Sequence, residues 1–193
     1  MTRRLVNESL SPTCPRVQQL LAAHPLAVAA GWQLRLATLA DLEAILVLER
    51  YCFSPWLAFG RRHWREQLRR QQRRVWLLLA GEQVLAYMAL LPHRGWHQVA
   101  VTTLAVHWLH RRQGLASLLL AVAELEARHD QLPRLRLEVD ADNEAAIALY
   151  HHLGYVVCRQ IPDYYGIGRP GMRLQKILSP DPGSAIPGGG DPC

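Results

Sequence analysis

The chain has 193 residues, of which half are hydrophobic, and this size is typical of one domain with a single core. Its net charge of +6 suits nucleic acid, an anionic membrane or a polyphosphate ligand as partner, or reflects arginine-rich codon usage alone. The apolar stretch 20–32 is too short to span a bilayer and lacks the pattern of a signal peptide, so we expect a cytoplasmic protein without a membrane partner.

The first third of the chain predicts an extension followed by a strand and a helix. Residues 1–31 form the N-terminal extension, with one short helix at 15–23 that could cover an apolar patch of the core. Alternating residues at 33–37 predict the first strand. A helix is expected over about 39–52, and Phe53-Ser54-Pro55-Trp56 ends it.

Seven arginines are concentrated between residues 61 and 74, with His63, Trp64 and Leu68 between them. Charges at helical spacing around an aromatic residue can contact a phosphate backbone. The ordinary alternative is a solvated helix face. A position near the ribosome or an acidic peptide is the intermediate option, and the sequence leaves all three open. The arginines are Arg61, Arg62, Arg65, Arg69, Arg70, Arg73 and Arg74.

The remainder of the chain alternates strands with helices. Strands are predicted at 75–80, 83–91, 98–106, 135–139, 155–161 and 172–178, and helices at 117–128 and from about 141 to about 153. The strand at 135–139 follows a crossover helix and should pair in parallel with its predecessor, whereas the other pairs should be antiparallel. We therefore predict an α/β (α+β) fold with a mixed, mostly antiparallel central sheet flanked by helices. The tail at 179–193 is rich in Pro and Gly and has little with which to form a core.

A turn between the strand at 98–106 and the following helix predicts an anion site. The turn reads Arg111-Arg112-Gln113-Gly114-Leu115-Ala116. A strand that turns on glycine into a helix leaves backbone N–H groups unpaired at the positive end of the helix dipole. Such a site suits a phosphate or pyrophosphate group, although a basic turn with one glycine is equally compatible with a solvated loop.

A second motif lies downstream. The strand around Leu137-Glu138-Val139 precedes a helix that begins near Asn143, includes Tyr150 and ends at Gly154-Tyr155. In this order and spacing, the two motifs resemble the GNAT family of acetyl-CoA-dependent N-acetyltransferases. The family patterns are Arg/Gln-x-x-Gly-x-Gly/Ala and Asn-x-x-Ala-x-x-Leu-Tyr-x-x-x-Gly-Phe/Tyr, which are matched by Arg111, Gly114 and Ala116 and by Asn143, Ala146, Leu149, Tyr150, Gly154 and Tyr155.

Within that family, the chain is most similar to the RimI-type N-terminal acetyltransferases, which modify the first residue of a ribosomal protein. The resemblance covers about residues 33–177 and also includes Phe53-Ser54-Pro55-Trp56 and the pair Tyr164-Tyr165. It implies a GNAT domain over residues 32–178 and acetyl-CoA as cosubstrate. No metal is implied, and the four cysteines form no Cys-x-x-Cys pair.

The resemblance also implies two catalytic residues. Acyl transfer needs an unprotonated amine, a donor for the oxyanion and a proton for the departing thiolate. At the matching positions, Glu138 would accept a proton and Tyr150 would donate one. Glu138 lies on the strand face opposite Leu137, where limited hydration would raise its pKa; the alternative is pairing with an arginine. For Tyr150, the alternative is a ring that packs in the core.

The cofactor contacts that the resemblance implies are largely main-chain. The end of the strand would bind pantetheine as an added strand, and the turn would surround the pyrophosphate. Asn143 would both cap its helix and touch the cofactor. The predicted cofactor-binding residues are Leu104, Ala105, Val106, Arg111, Arg112, Gln113, Gly114, Leu115, Ala116, Ser117 and Asn143.

The expected acceptor is an N-terminal α-amine, because about a tenth of such amines are neutral at pH 7, against fewer than about one lysine amine in a thousand. Tyr164 and Tyr165 match the tyrosines that line the peptide groove in the N-terminal acetyltransferases. The chain departs from those enzymes after the pair, where an acidic segment is replaced by Gly166-Ile167-Gly168-Arg169-Pro170-Gly171. We therefore expect a site that tolerates or favours acidic groups near the acceptor amine.

Two other classes of function remain open from the sequence. A small-molecule amine such as a polyamine or an amino acid, or a lysine side chain, would use the same cofactor motifs. A non-catalytic module would bind acetyl-CoA or RNA without turnover. The expected partner is a protein or peptide N-terminus, which includes ribosomal protein, and nucleic acid is the weaker expectation.

Overall fold

The computed structural model describes residues 10–11 and 13–179, and this part of the chain contains helices on both faces of a central sheet. The helices are α1 (Pro15–Ala22), α2 (Pro25–Ala29), α3 (Leu42–Cys52), α4 (Arg61–Arg69), α5 (Leu115–His129) and α6 (Glu144–His152). The strands are β1 (Trp32–Leu36), β2 (Arg74–Ala80), β3 (Gln83–His93), β4 (Gln98–Val106), β5 (Arg134–Asp140), β6 (Val156–Ile161) and β7 (Gly171–Ile177).

The strands form one seven-stranded sheet in the order β1-β2-β3-β4-β5-β7-β6. Every neighbouring pair is antiparallel except β4 and β5, which are parallel because α5 carries the chain back across the sheet between them. The predicted mixed, mostly antiparallel sheet flanked by helices is therefore confirmed.

Alternation along the strands builds a core on each face of the sheet. In β2, Trp76 and Leu78 belong to the cluster beneath α1 and α5, whereas Leu77 and Leu79 belong to the cluster beneath α3 and α4. Helices contact β2, β3 and β4 from both faces, whereas β1 contacts α1 and α2. On the α3 side, the β5 residues that alternate with the buried Leu135, Leu137 and Val139 are polar.

The N-terminal extension joins the main core. Val17, Leu21 and Ala27 are buried in the cluster that also contains α5. The sequence predicts α1 but not α2, because the four residues after Pro25 are too few to show a helical period. Residues 1–9 and 12 of the extension lie outside the described residues, as does the tail from residue 180. The division at residues 31 and 32 stays a prediction.

Three helix starts differ from the predictions. Helix α6 begins at Glu144, after its Asn143 cap, and not at about 141. Helix α5 begins at Leu115, two residues earlier than expected, because Gly114 adopts a left-handed conformation and serves as its N-cap. Residues Leu39–Asp41 form a 3₁₀ turn before α3, and Asp41 and Thr38 cap it reciprocally. None of the helices in the described ranges has the length and apolar character that crossing a membrane requires.

The arginine cluster at residues 61–74 divides in the structure. Arg74 is buried, and its guanidinium bonds to the carboxylates of Glu126, at 2.8 Å, and Asp130, at 2.7 and 3.0 Å. The Trp76 indole N–H donates to the other Glu126 oxygen at 2.7 Å. Burial raises the pKa of Glu126, and the contacts with Arg74 and Trp76 oppose that rise.

The other arginines of the cluster are arranged as a solvated face. Arg73 is half-buried, and the remaining members on or directly after α4 are exposed. Arg62 pairs with Glu66 one turn along the same helix at 3.5 Å, and Arg61 pairs with Glu43 on α3. This arrangement agrees with the ordinary interpretation of the pattern, and only Arg74 has an internal structural role.

We expect Arg74→Met to lower the free energy of unfolding by about 3–5 kcal/mol, because it leaves two buried carboxylates without their cation. Arg62→Met is the matched control and should change stability by less than about 0.5 kcal/mol, since the Arg62 side chain is 95% exposed. Urea unfolding monitored by tryptophan fluorescence measures both. Equal stability of the two variants would contradict a stabilising role for the buried ion pairs.

Candidate active site

The candidate site lies where two parallel strands separate. β4 and β5 are paired from Gln98 and Arg134 as far as Val101 and Leu137, and their pairing ends there. Each strand continues beyond that point and remains paired on its outer side, β4 with β3 and β5 with β7. The facing edges of 102–105 and 138–140 are therefore available to a ligand, whereas the Val106 carbonyl is already hydrogen-bonded. This opening is the one that the predicted pantetheine contacts need.

The turn before α5 fits a phosphate group. Gly114 has φ +83° and caps the helix, and the first α5 bond runs from the Leu118 N–H to the Gly114 carbonyl at 3.0 Å. The N–H groups of Leu115, Ala116 and Ser117 precede that bond and have no partner within the helix. Three amides at the positive end of a 15-residue helix match the requirements of a pyrophosphate.

The motif does not indicate what each side chain near this turn contacts, and the structure shows it for Arg111, Leu115 and Arg112. Arg111 turns towards the end of β4, where its Nε donates to the Val106 carbonyl at 3.4 Å. The Cys52 thiol donates to the same carbonyl at 3.3 Å. Leu115 is buried in the core, so only its backbone is available to a ligand. Arg112 has φ +62° and an exposed side chain that can approach a phosphate.

Glu138 is held by two arginines. Its Oε1 accepts from Nε of Arg173 at 2.8 Å and lies 3.4 Å from Nε of Arg136. Arg173 faces Glu138 directly across the β5–β7 pair. The structure therefore shows the pairing of Glu138 with arginine that the sequence left as the alternative interpretation. Both contacts use Oε1, and Oε2 receives no hydrogen bond from the described residues, which leaves one carboxylate oxygen open as a proton acceptor.

Tyr150 lies in α6 with its ring in the core and its hydroxyl unpartnered. The residue is 8% exposed, and its ring centre lies 5.8 Å from that of Tyr155. Its hydroxyl makes no hydrogen bond to the part of the chain that the structure describes. Burial raises the pKa of Tyr150 to about 12, which makes the phenol a weaker acid than an ordinary tyrosine, and like an ordinary tyrosine it carries its proton at neutral pH.

The tyrosine pair after β6 completes the cluster. The rings of Tyr164 and Tyr165 meet edge to face, with centres 4.9 Å apart. Burial raises the pKa of both phenols, and the nearby Glu138 carboxylate raises it further. Tyr164 packs so closely on Gly171 that a Cβ there would lie 2.9 Å from the Tyr164 Cβ. The structure therefore brings Glu138 and the two tyrosines together.

Two predicted features have local partners. Asn143 caps α6, and its side-chain oxygen accepts from the Ala146 N–H at 3.1 Å, which confirms the capping prediction.

Arg169 belongs to the segment that stands where the N-terminal acetyltransferases are expected to have acidic residues. It pairs with Asp140 at the end of β5. Its charge is largely neutralised, so any preference for acidic acceptors must come from other arginines.

The sequence did not identify Arg136 and Arg173 as site residues. Arg136 and Glu138 are two positions apart in β5 and therefore lie on the same strand face, so the period-2 pattern could have identified Arg136 as a site residue. Arg173 reaches Glu138 only because β7 is inserted between β5 and β6, which no local pattern indicates. In the described ranges, no group of three His, Cys, Asp or Glu side chains is placed to hold a metal ion.

Comparison with known proteins gives consistent matches. The model of the acetyltransferase (GNAT) family matches residues 40–155. The catalytic subunit of the N-terminal acetyltransferase B complex of Arabidopsis thaliana is 34% identical over 105 residues, which are 52% of this chain and 60% of that protein. The match thus spans less than two thirds of that relative.

Solved structures share the fold over nearly their whole length. The ribosomal-protein-S18-alanine N-acetyltransferase of Escherichia coli has a TM-score of 0.69 at 20% identity, covering 80% of this chain and 99% of its own. The ribosomal-protein-alanine N-acetyltransferase of Brucella melitensis has a TM-score of 0.63 at 27% identity, covering 75% of this chain and 99% of its own.

Proposed function

Since the chain belongs to the acetyltransferase (GNAT) family, we propose that it transfers the acetyl group of acetyl-CoA to an amine, and that this amine is the N-terminal α-amine of a protein or peptide. The observation that carries this proposal is geometric: Glu138 lies in β5 just beyond the end of the β4–β5 pairing, and Tyr164, in ring contact with Tyr165, packs on Gly171, the β7 residue that pairs with Asp140 at the end of β5. The relatives named above as N-terminal acetyltransferases support the same class of acceptor.

The proposed cofactor site uses main-chain groups. The amides of Leu115, Ala116 and Ser117 would hold the pyrophosphate, with the Arg112 side chain as an added cation. The free edge of β4 at residues 104–106 would hold pantetheine, although the Val106 carbonyl already accepts from Cys52 and Arg111. Bound acetyl-CoA supplies the activated acetyl group, and the chain supplies position and proton transfer.

Glu138 is the proposed general base. Arg136 and Arg173 fix the carboxylate through Oε1, and Oε2 would take a proton from the acceptor amine. An α-amine with a pKa near 7.8 is partly neutral at physiological pH, so the base has to remove only one easily lost proton. Tyr150 is the proposed acid, because its buried phenol stays protonated and its hydroxyl is unpartnered.

We expect Glu138→Gln to lower kcat/KM about a hundredfold at pH 7, because an amide cannot accept the proton. The defect should shrink as the pH rises through the pKa of the acceptor amine, where the neutral amine becomes abundant. A pH series of peptide acetylation measures this, with Glu144→Gln, an exposed residue of α6, as the matched control. Unchanged turnover of Glu138→Gln at every pH would remove the proposed base.

Phenylalanine variants of Tyr150 and Tyr155, whose rings are in contact, distinguish a catalytic role of the Tyr150 hydroxyl from a packing role of its ring. We expect Tyr150→Phe to lower kcat about a hundredfold with little change in Tm, because the ring stays and only the proton donor is lost. Tyr155→Phe should preserve activity and stability, since the Tyr155 hydroxyl is buried without a hydrogen-bond partner. Steady-state kinetics and thermal unfolding of both variants test this, and equal kcat for the two would assign Tyr150 to packing alone.

We propose that the site prefers peptides that carry acidic residues near the acceptor amine. Arg169 is compensated by Asp140, whereas Arg136 and Arg173 share the single carboxylate of Glu138, so one positive charge beside Glu138 remains uncompensated and supports this preference. In a peptide-library assay, peptides with Asp or Glu at the second or third position should show KM values several-fold below those of their Lys counterparts. Arg136→Gln should reduce this difference, whereas Arg62→Gln should not.

Mass spectrometry of the products identifies the acceptor in the same assay. Acetyl groups on peptide α-amines support the proposal, whereas transfer only to lysine side chains or to added polyamines would contradict it. Best turnover with basic second and third residues would contradict the acidic preference and leave the α-amine assignment standing.

A further inference from the structure

The N-terminal extension reaches the proposed cofactor turn. His24 lies between α1 and α2, and its Nε2 lies 2.7 Å from the position that a Cβ on Gly114 would occupy. The other imidazole nitrogen, Nδ1, is buried and has no partner among the described residues. A histidine 90 positions upstream in the sequence thus forms one wall of the turn that begins α5.

The position of His24 is fixed from several sides. Its ring packs on Trp32 with centres 5.1 Å apart, and Trp32 opens β1 in the core. On the chain before it, Val17 and Leu21 of α1 are buried in the cluster that contains α5. On the chain after it, Ala27 of α2 is buried there as well. The imidazole is therefore held by the core.

Gly114 is under two independent constraints. Its φ of +83° is unfavourable for residues with a Cβ, because the Cβ would crowd the backbone. The contact with His24 adds a second constraint, since a distance of 2.7 Å is too short for any side-chain atom to be accepted without displacement. Both constraints favour glycine at this position, and the Gly114 peptide leads directly into the next three amides.

We propose that α1 and α2 brace the cofactor turn, and that His24 is a positioning residue that acts through Gly114 on the amides of 115–117. This inference rests on the proposed pyrophosphate site at those amides. The brace comes from a part of the chain that precedes residue 40, where the family match begins. The extension therefore contributes to acetyl-CoA affinity and not only to stability.

The first test is His24→Ala. Loss of the wall should raise the Kd for CoA in calorimetry about tenfold and raise the KM for acetyl-CoA similarly. The kcat at saturating acetyl-CoA and the KM for the peptide should stay unchanged. Hydrogen exchange of the amides at 114–118 in the ligand-free protein should be faster. His152→Ala, an exposed histidine of α6, is the control and should change none of these quantities.

The second test is a double-mutant cycle with Gly114→Ala. The single variant should weaken CoA binding through both backbone strain and the clash with His24. In the His24→Ala background the clash is absent, so Gly114→Ala should cost less affinity than it does in the native background. Additive effects of the two changes would overturn the contact as a determinant of binding.

The possible results distinguish a failure of the proposed role of His24 from a failure of the proposed cofactor site on which it rests. If the native protein binds no CoA in calorimetry, the proposed cofactor site is wrong and the brace falls with it. If the native protein binds CoA and His24→Ala binds it equally well, the site stands and the brace is overturned. A lower Tm for His24→Ala with unchanged CoA affinity would assign the extension to stability alone, which also overturns the proposal.

Discussion

The separation of β4 and β5 is the constraint on which the rest of the site depends. The two strands pair over four residues each, from Gln98 to Val101 and from Arg134 to Leu137. Beyond that, each keeps only its outer partner, so two strand edges with unpaired backbone groups face one another inside a sheet. The proposed base, Glu138, is the first residue of β5 after the pairing ends, and the proposed pyrophosphate turn follows the end of β4.

Helix α5 is fixed at both of its ends, and this determines where its N-terminus points. Near the C-terminus, Glu126 and the adjacent Asp130 hold the buried Arg74 of β2. At the N-terminus, Gly114 lies against His24 of the extension. A helix that is anchored at both ends does not rotate or slide easily, so its free amides keep one direction relative to the opening. Ligand binding then requires little reorganisation of the turn.

The positive charge of the chain serves different purposes in different places. Arg74 is an internal cation, the exposed arginines of α4 form a solvated face, and Arg136 and Arg173 orient the Glu138 carboxylate. The amino-acid composition gives only the sum of these charges. Their separate roles follow from burial, because a guanidinium inside the core needs carboxylate partners whereas an exposed one is satisfied by water.

Much of the fold was determined by local sequence. Alternation placed the strands, and the Asn143 cap and the Gly114 turn placed the starts of α6 and α5 to within about three residues, because these signals act between near neighbours. The tertiary structure alone decided that β7 lies beside β5, that Arg173 therefore pairs with Glu138, that Arg74 is buried, and that His24 touches Gly114. Each of those contacts joins residues that are 31 or more positions apart. No local period or spacing encodes such a pair, since it depends on how whole elements pack together.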